Sequence, residues 1–194
     1  QKADLSALRL IVSKNELNEY IKERVSQFKI EAYHKKIQLI TEIEIEKPFH
    51  VWFDHEKMDR ILNNLLSNAL KYTPESGTIQ VSVGQSDKKW YISIKDSGIG
   101  IPQSEQKYLF KRFFRAKNAI NSRETGSGIG LLLVQKLVAL HQGNISFVSK
   151  EGIGTEFKVT FNKGDQYFHR NGTHRDYIPN NAPKVEVIEE KENS

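Results

Sequence analysis

Apolar residues first recur with the helical period over 15–36, where Leu17, Tyr20, Ile21, Val25 and Phe28 share one face and Asn15 stands as the expected N-cap. Ahead of it, "LRLIVSK" (8–14) reads as a short strand. Behind it, "IQLITEIEI" (37–45) alternates as a strand should, and "FHVWFD" (49–54) is a second strand joined to it by a turn at Lys47-Pro48. A second helix is expected over 55–72, closed by Pro74 with Gly77 beyond. "TIQVSVG" (78–84) and "KWYISIKD" (89–96) predict a hairpin across 85–88. "IGLLLVQKLVALH" (129–141) predicts a strongly apolar helix, and "GNISFVSK" and "GTEFKVTF" a closing hairpin whose turn holds Gly152 and Gly154. The expected fold class is α/β, a mixed, mostly antiparallel sheet with three main helices on one face.

Two stretches break this rhythm. Residues 97–128 hold glycines, serines and basic residues around "QKYLFKRFFRA", which offers one or two helical turns. So long an irregular stretch inside a compact domain is usually a functional loop. After Asn162 no periodicity persists and the end is acidic, so 1–162 are expected to form the domain and 163–194 a linker or flexible tail.

The chain of 194 residues is 38% hydrophobic and 27% charged, a globular composition. It has no cysteine, which excludes a disulfide framework, a thiolate metal site and a cysteine nucleophile. No apolar run is long enough to cross a bilayer and no signal peptide opens the chain, so a cytoplasmic location is expected. The start at Gln1 suggests a fragment of a longer protein. A net charge of +5 points weakly to anionic partners. The basic residues are not interleaved with an aromatic platform, so nucleic acid is not expected.

Three patterns carry possible chemistry. In the 55–72 helix, Met58, Ile61, Leu62, Leu65, Leu66, Ala69 and Leu70 form the apolar arc, while Asn64, Asn68 and Lys71 gather in one stripe beside it. Amides and an amine bordering a core imply something polar opposite, such as a hard cation or a polyphosphate. Asn63 and Ser67, on the other flank, read as solvated. In "KDSGIGIP" (95–102) Asp96 ends a strand and could accept a hydrogen bond from an exocyclic amine, with glycines permitting close approach; a simple turn would use the same residues. In "RETGSGIGLLLV" (123–134) glycines alternate directly before a helix, where free amides can meet phosphates or merely hinge. The Lys-Ser/Thr pair of a P-loop is absent.

Taken in order, "NLLSNALKYTP", "DSGIGIP", "LFKRFFRA" and "GSGIGL" resemble the N, G1, F and G2 boxes of the sensor histidine kinase ATP-binding domain. "EGIGTEFKVTF" is similar to the hairpin that follows in that family, and the likeness covers about residues 8–162. It implies the Bergerat two-layer α/β sandwich, with ATP and Mg²⁺ as cofactors. It makes Asn68 the metal ligand, with Asn64 one turn earlier. Lys71 and Tyr72 would lie along phosphates and base, and Asp96 would bind the adenine amine beside Gly98 and Gly100. Gly126, Ser127, Gly128, Gly130 and Leu131 would close around the phosphates, and Thr155 would complete the pocket. Residues 103–127 would be the lid, poorly ordered over about 116–127 without nucleotide. Arg115, with Arg112 second to it, would approach the terminal phosphate, and Phe110, Phe113 and Phe114 would anchor the lid. Asn64, Lys71 and Arg115 are the implied catalytic set.

Gyrase-like relatives carry a glutamate where Asn64 stands, and Glu56 and Asp59 project away from the stripe. Transfer to an acceptor is therefore expected over hydrolysis. None of His34, His50, His55, His141, His169 and His174 has the family's phosphoacceptor context, and His141 reads as a dipole partner at a helix end. The acceptor is expected on an upstream dimerisation domain of the same protein, so that this piece alone cannot autophosphorylate. A response regulator or fused receiver domain would be the further partner, and any membrane anchor would lie in other parts of the protein. A regulatory nucleotide-binding module, a gyrase-type ATPase and a serine kinase of the anti-sigma kind are the rival readings.

Overall fold

The computed structural model describes residues 10–121 and 127–164 together with the backbone of 185–187. Strand β1 (Val12–Glu16) leads into α1 (Leu17–Ser26) and α2 (Lys29–His34). Strands β2 (Gln38–Ile43) and β3 (His50–Asp54) precede the long α3 (His55–Tyr72). The hairpin of β4 (Thr78–Gln85) and β5 (Lys89–Asp96) is followed by the short α4 (Gln103–Gln106) and α5 (Lys117–Asn121). Helix α6 (Gly130–Leu140), β6 (Asn144–Lys150), β7 (Gly154–Asn162) and β8 (Val185–Val187) complete the order.

The main sheet runs β2-β4-β5-β7-β6-β8, antiparallel inside and parallel at its outer pairs. Its inward residues include Ile79, Val81, Trp90, Ile92, Val159 and Phe161, all buried. Against them lie the apolar stripe of α3, Leu17 and Ile21 of α1, and Val134, Leu137 and Val138 of α6. The alternate strand positions put Lys158 over the ring of Tyr91 at 3.9 Å on the other face. This is the period-2 division into a core face and a polar face.

Four details differ from the sequence reading. Strand β3 pairs with β1 in a separate antiparallel ribbon, and β2 pairs in parallel with β4. Parallel neighbours need a long crossover; α3 provides it and buries its apolar face on the way. Strand β1 sits four residues later than expected, because its ladder with β3 runs from Val12 opposite Asp54 to Glu16 opposite His50. Asn15 therefore lies within a strand, its amide bonded to Ser13 O at 2.8 Å, and Glu16 caps α1 by accepting from Glu19 N at 2.7 Å. The helix expected over 15–36 is broken at Gln27–Phe28, where the amides close back three residues onto Arg24 and Val25. Beyond Asn162, residues 185–187 pair in parallel with β6, a three-residue run too short to register as a period.

Helix α3 has the bounds its pattern predicts. Asp54 caps it, accepting from Lys57 N at 3.0 Å through Oδ1, while Oδ2 accepts from Ile11 N at 2.7 Å and pairs with Lys57 Nζ at 2.8 Å. Among the described residues no helix is long and apolar enough to cross a membrane.

Candidate active site

A cavity of about 340 Å³ opens between α3, the ends of β5 and β7, and the segment 99–131. The polar stripe of α3 forms one wall: Asn64, Asn68 and Lys71 all line it, with Tyr72 beyond them. Asn64 donates its amide to Arg60 O at 2.7 Å, which turns its Oδ1 toward Gly130, where an added Cβ would stand 2.6 Å from that oxygen. Helix α6 can thus begin against α3 only because residue 130 lacks a side chain. Asn63 is exposed and clear of the cavity; Ser67 is exposed but borders its mouth.

Asp96 forms the deep end. Its Oδ1 accepts from Gly98 N at 2.8 Å and from Thr155 N at 3.3 Å. Burial nevertheless pushes its carboxyl up to about 6, with the two backbone N–H groups opposing the shift. It is the only carboxylate among the described lining residues. The walls around it, Ile94, Ile99, Ile101, Leu109 and Phe157, are apolar, as a flat aromatic ligand requires. Gly98 is pressed against Tyr72 O and does not itself line the space, whereas Gly100, at φ +63°, does.

The irregular segment covers the remaining side. Arg115 and Phe114 line the cavity, and Arg115 donates to Ala119 O at 3.0 Å. Arg112 does not reach it: its guanidinium lies over the exposed Phe113 ring, 5.0 Å from the centroid, pointing to the outside. Of the three expected lid anchors, Phe110 packs edge-on to Phe147 at 5.9 Å and Phe114 sits 5.8 Å from Tyr108. Phe113, at positive φ, is 65% exposed and is not an anchor within the described residues. Ser127, Gly128, Gly130, Leu131 and Thr155 line the cavity; Gly126 lies outside the described residues. Within the stretch expected to be poorly ordered, α5 forms over 117–121, and 122–126 lie outside the described residues.

The apolar wall residues, and one polar residue with them, escaped the sequence reading. Asn118 of α5 donates to Gly100 O at 2.9 Å, tying the covering segment to the loop after Asp96, while its buried Oδ1 has no partner among the described residues. Nothing in its neighbourhood repeats or alternates, so only the fold brings it to the site. Glu56 and Asp59 are turned away, as their spacing predicts. Glu56 pairs with Arg60 at 2.8 Å, and Asp59 accepts from the Tyr20 hydroxyl at 2.7 Å. His141 differs from its reading as a dipole partner: it is 1% exposed, and burial lowers its imidazole to about 4, so it is neutral.

The arrangement is a polyphosphate-sized space with an acceptor at one end and amides, an amine and a guanidinium at the other. Residues 53–165 match the family described as histidine kinase-, DNA gyrase B- and HSP90-like ATPase, and the chain belongs to that family, as an ATP-binding domain of the sensor histidine kinase type. It is 38% identical to the sensor histidine kinase WalK of Bacillus subtilis (strain 168) over 117 residues, 59% of this chain and 19% of that one. It is 33% identical to histidine kinase P4 of Formosa agariphila over 168 residues, 84% of this chain and 12% of that one. The chain thus spans less than a fifth of either relative. Among solved structures it resembles the nucleotide-free catalytic domain of histidine kinase ThkA, with a TM-score of 0.68 and 27% identity. That match covers 78% of this chain and 97% of the other. The mycobacterial sensor histidine kinase MprB gives the same TM-score at 26% identity, covering 78% and 98%. ThkA has also been solved in complex with the response regulator TrrA, and this chain matches 42% of that kinase at 25% identity.

Proposed function

We propose that this domain holds ATP and presents its terminal phosphoryl group to a histidine on a dimerisation domain of the same protein, as the catalytic part of a two-component sensor kinase. The observation that carries the reading is the meeting of Asn64, Asn68, Lys71 and Arg115 with Asp96 in one cavity whose only described carboxylate is engaged at the far end. The ionised Asp96, held by the Gly98 N–H, accepts the adenine amine, with Gly100 letting the base approach. Lys71, Arg115 and the amides at the start of α6 offset phosphate charge. In the transfer, the bond from the terminal phosphorus to the bridging oxygen breaks as a bond to the acceptor imidazole nitrogen forms, and the leaving diphosphate keeps the electron pair.

Among the described residues no group of three or more acidic or imidazole side chains could cage a metal. The Asn68 carboxamide on the cavity wall is a hard oxygen donor that suits Mg²⁺, which commonly takes one or two protein oxygens and completes its shell with water and substrate phosphates. Asn68 would supply that oxygen, and the ion would shield charge between phosphates. Among the described lining residues no carboxylate or imidazole stands at the phosphate end to activate water, and this supports transfer over hydrolysis. A response regulator is the partner this reading implies downstream.

Calorimetry of ATP binding with and without Mg²⁺, on this chain and on Asn68→Ala and Asp96→Ala, tests the pocket. Mg²⁺-dependent binding lost in both variants is expected. Binding undiminished by Asp96→Ala would sink the assignment. Adding a dimerisation domain with radiolabelled ATP then tests the transfer: label should appear as acid-labile phosphohistidine, and release only of free phosphate would make the domain an ATPase.

A further inference from the structure

A second cavity, of about 540 Å³, opens between α1 and β2 and shares no lining residue with the nucleotide pocket. Its volume is that of a small-ligand site. Asn18, Lys22 and Val25 line it from one face of α1, at steps of four and three, Lys29 lines it from the start of α2, and Ile43 and Lys47 stand opposite. Asn18 is fully buried, yet neither its Oδ1 nor its Nδ2 has a hydrogen-bond partner among the described residues. A carboxamide buried without partners is costly where a leucine would fill the space. It is chemically reasonable at the wall of a cavity whose ligand satisfies it.

The charges point the same way. Lys22 and Lys47 both line the cavity, so two amino groups share one rim. Glu19 answers Lys47 at 2.9 Å. Glu16, the next carboxylate, is turned to backbone donors, Glu19 N at 2.7 Å and Phe49 N at 3.1 Å. The rim keeps an excess of positive charge that a bound anion would relieve. The cationic set is all lysine, compact point charges that hold a phosphate without a bidentate fork.

We propose that this groove is a second ligand site, which binds the phosphate group of a phosphorylated small molecule. Lys22, Lys29 and Lys47 hold the anion, and Asn18, buried beneath them, turns its carboxamide to it on binding. Val25 and Ile43 flank the apolar part of the ligand.

The side-chain amide resonances of Asn18 report on the site directly, in the ¹⁵N-labelled chain titrated with inorganic phosphate and with pyrophosphate. A saturable shift of those resonances is expected, weakened tenfold or more in the Lys22→Gln/Lys47→Gln double variant. Both lysines are exposed, so that variant should melt with the wild type. Asn18→Leu, followed instead through the backbone amide resonances of Lys22 and Val25, should weaken phosphate binding and raise the melting temperature. Resonances that do not move, or that move equally in the double variant, would overturn the proposal. A response to a glutamate-rich peptide and not to either phosphate would assign the groove to a protein partner instead. The nucleotide pocket is unaffected by any of these outcomes.

Discussion

The Nε2 of His141 accepts a hydrogen bond from the backbone N–H of Asp54 at 3.1 Å, and its Nδ1 donates to Leu137 O at 2.8 Å. The first residue after α6 is thereby tied to the cap of α3. These are the two helices whose opposite ends line the cavity, so one neutral imidazole helps to fix their relative placement.

This linkage makes His141 acid-sensitive. Its ordinary value of 6.5 falls to about 4 because burial disfavours the cation. Between those values the unfolded chain binds more protons than the folded one, so stability is full above pH 6.5 and declines as pH falls toward 4. The loss should approach about 3 kcal/mol. His141→Phe should cost about 1–3 kcal/mol at pH 7, by stranding the buried N–H of Asp54. It should also flatten the pH dependence. Urea titrations at pH 7.5 and pH 5 check both, and an unchanged slope in the variant would show that another group carries it.

Asp96 titrates in the opposite sense. Its folded value, about 6, lies above the ordinary 3.8, so the nucleotide-free fold is least stable above pH 6 and gains as pH falls toward 3.8. Asp96→Asn keeps an oxygen for Gly98 N and Thr155 N and removes the buried charge. It should raise stability by about 1–3 kcal/mol at pH 7.5, with the gap closing near pH 4. ATP affinity should drop tenfold or more in the same variant, and wild-type affinity should weaken below pH 6 as the carboxylate protonates. Melting curves and calorimetry on one preparation separate these effects. A variant that is both less stable and still competent to bind would contradict the assignment.

Both histidine and aspartate show what the one-dimensional pattern can carry. Helix α3 was legible to the residue, because Asp54 and Pro74 mark its ends and its core stripe is unbroken by glycine. The stripe of Asn64, Asn68 and Lys71 was legible as an anomaly, polar groups set against an apolar arc, and the glycine spacing marked the loops facing it. Pairings made at a distance were not. Nothing local says that β3 leaves β2 for β1, since alternation fixes a strand and not its neighbour. Asn118 reaches the cavity through a turn that no period encodes, and the end of "VALH" looks the same whether its imidazole is solvated or locked to Asp54. Arg112 and Arg115 are three residues apart in one basic run. Which of them faces inward follows from the left-handed backbone at Phe113, which a propensity for basic loops does not reveal.

Gly128 joins the covering segment to the start of α6. It sits at φ +67°, its carbonyl accepts from Phe113 N at 3.0 Å, and an added Cβ would stand 2.7 Å from the Phe113 carbonyl carbon. Gly128→Ala should therefore unseat this contact, with local strain of about 1–3 kcal/mol. The strain is released by detaching the segment, so the melting temperature should move little while ATP affinity falls about tenfold. Hydrogen exchange at the Phe113 amide should accelerate in parallel. A large fall in melting temperature would place Gly128 in the stability of the whole domain instead.

The phenylalanines of "LFKRFFRA" should separate cleanly. Phe110 contacts Phe147 within the sheet's core, whereas the Phe113 ring is mostly in solvent with only the Arg112 guanidinium over it. Phe110→Ala removes aromatic contact with a buried residue and should cost about 2–4 kcal/mol. Phe113→Ala should stay within about 0.5 kcal/mol, as substitutions at exposed positions do. An exposed aromatic beside the cavity offers a contact to the proposed acceptor domain, so Phe113→Ala should leave ATP binding intact and slow phosphoryl transfer to an added dimerisation domain. Chemical denaturation and a single-turnover transfer assay measure the two effects separately. Equal destabilisation by the two substitutions would mean that Phe113 packs inward in solution, and an unchanged transfer rate would remove it from the docking surface.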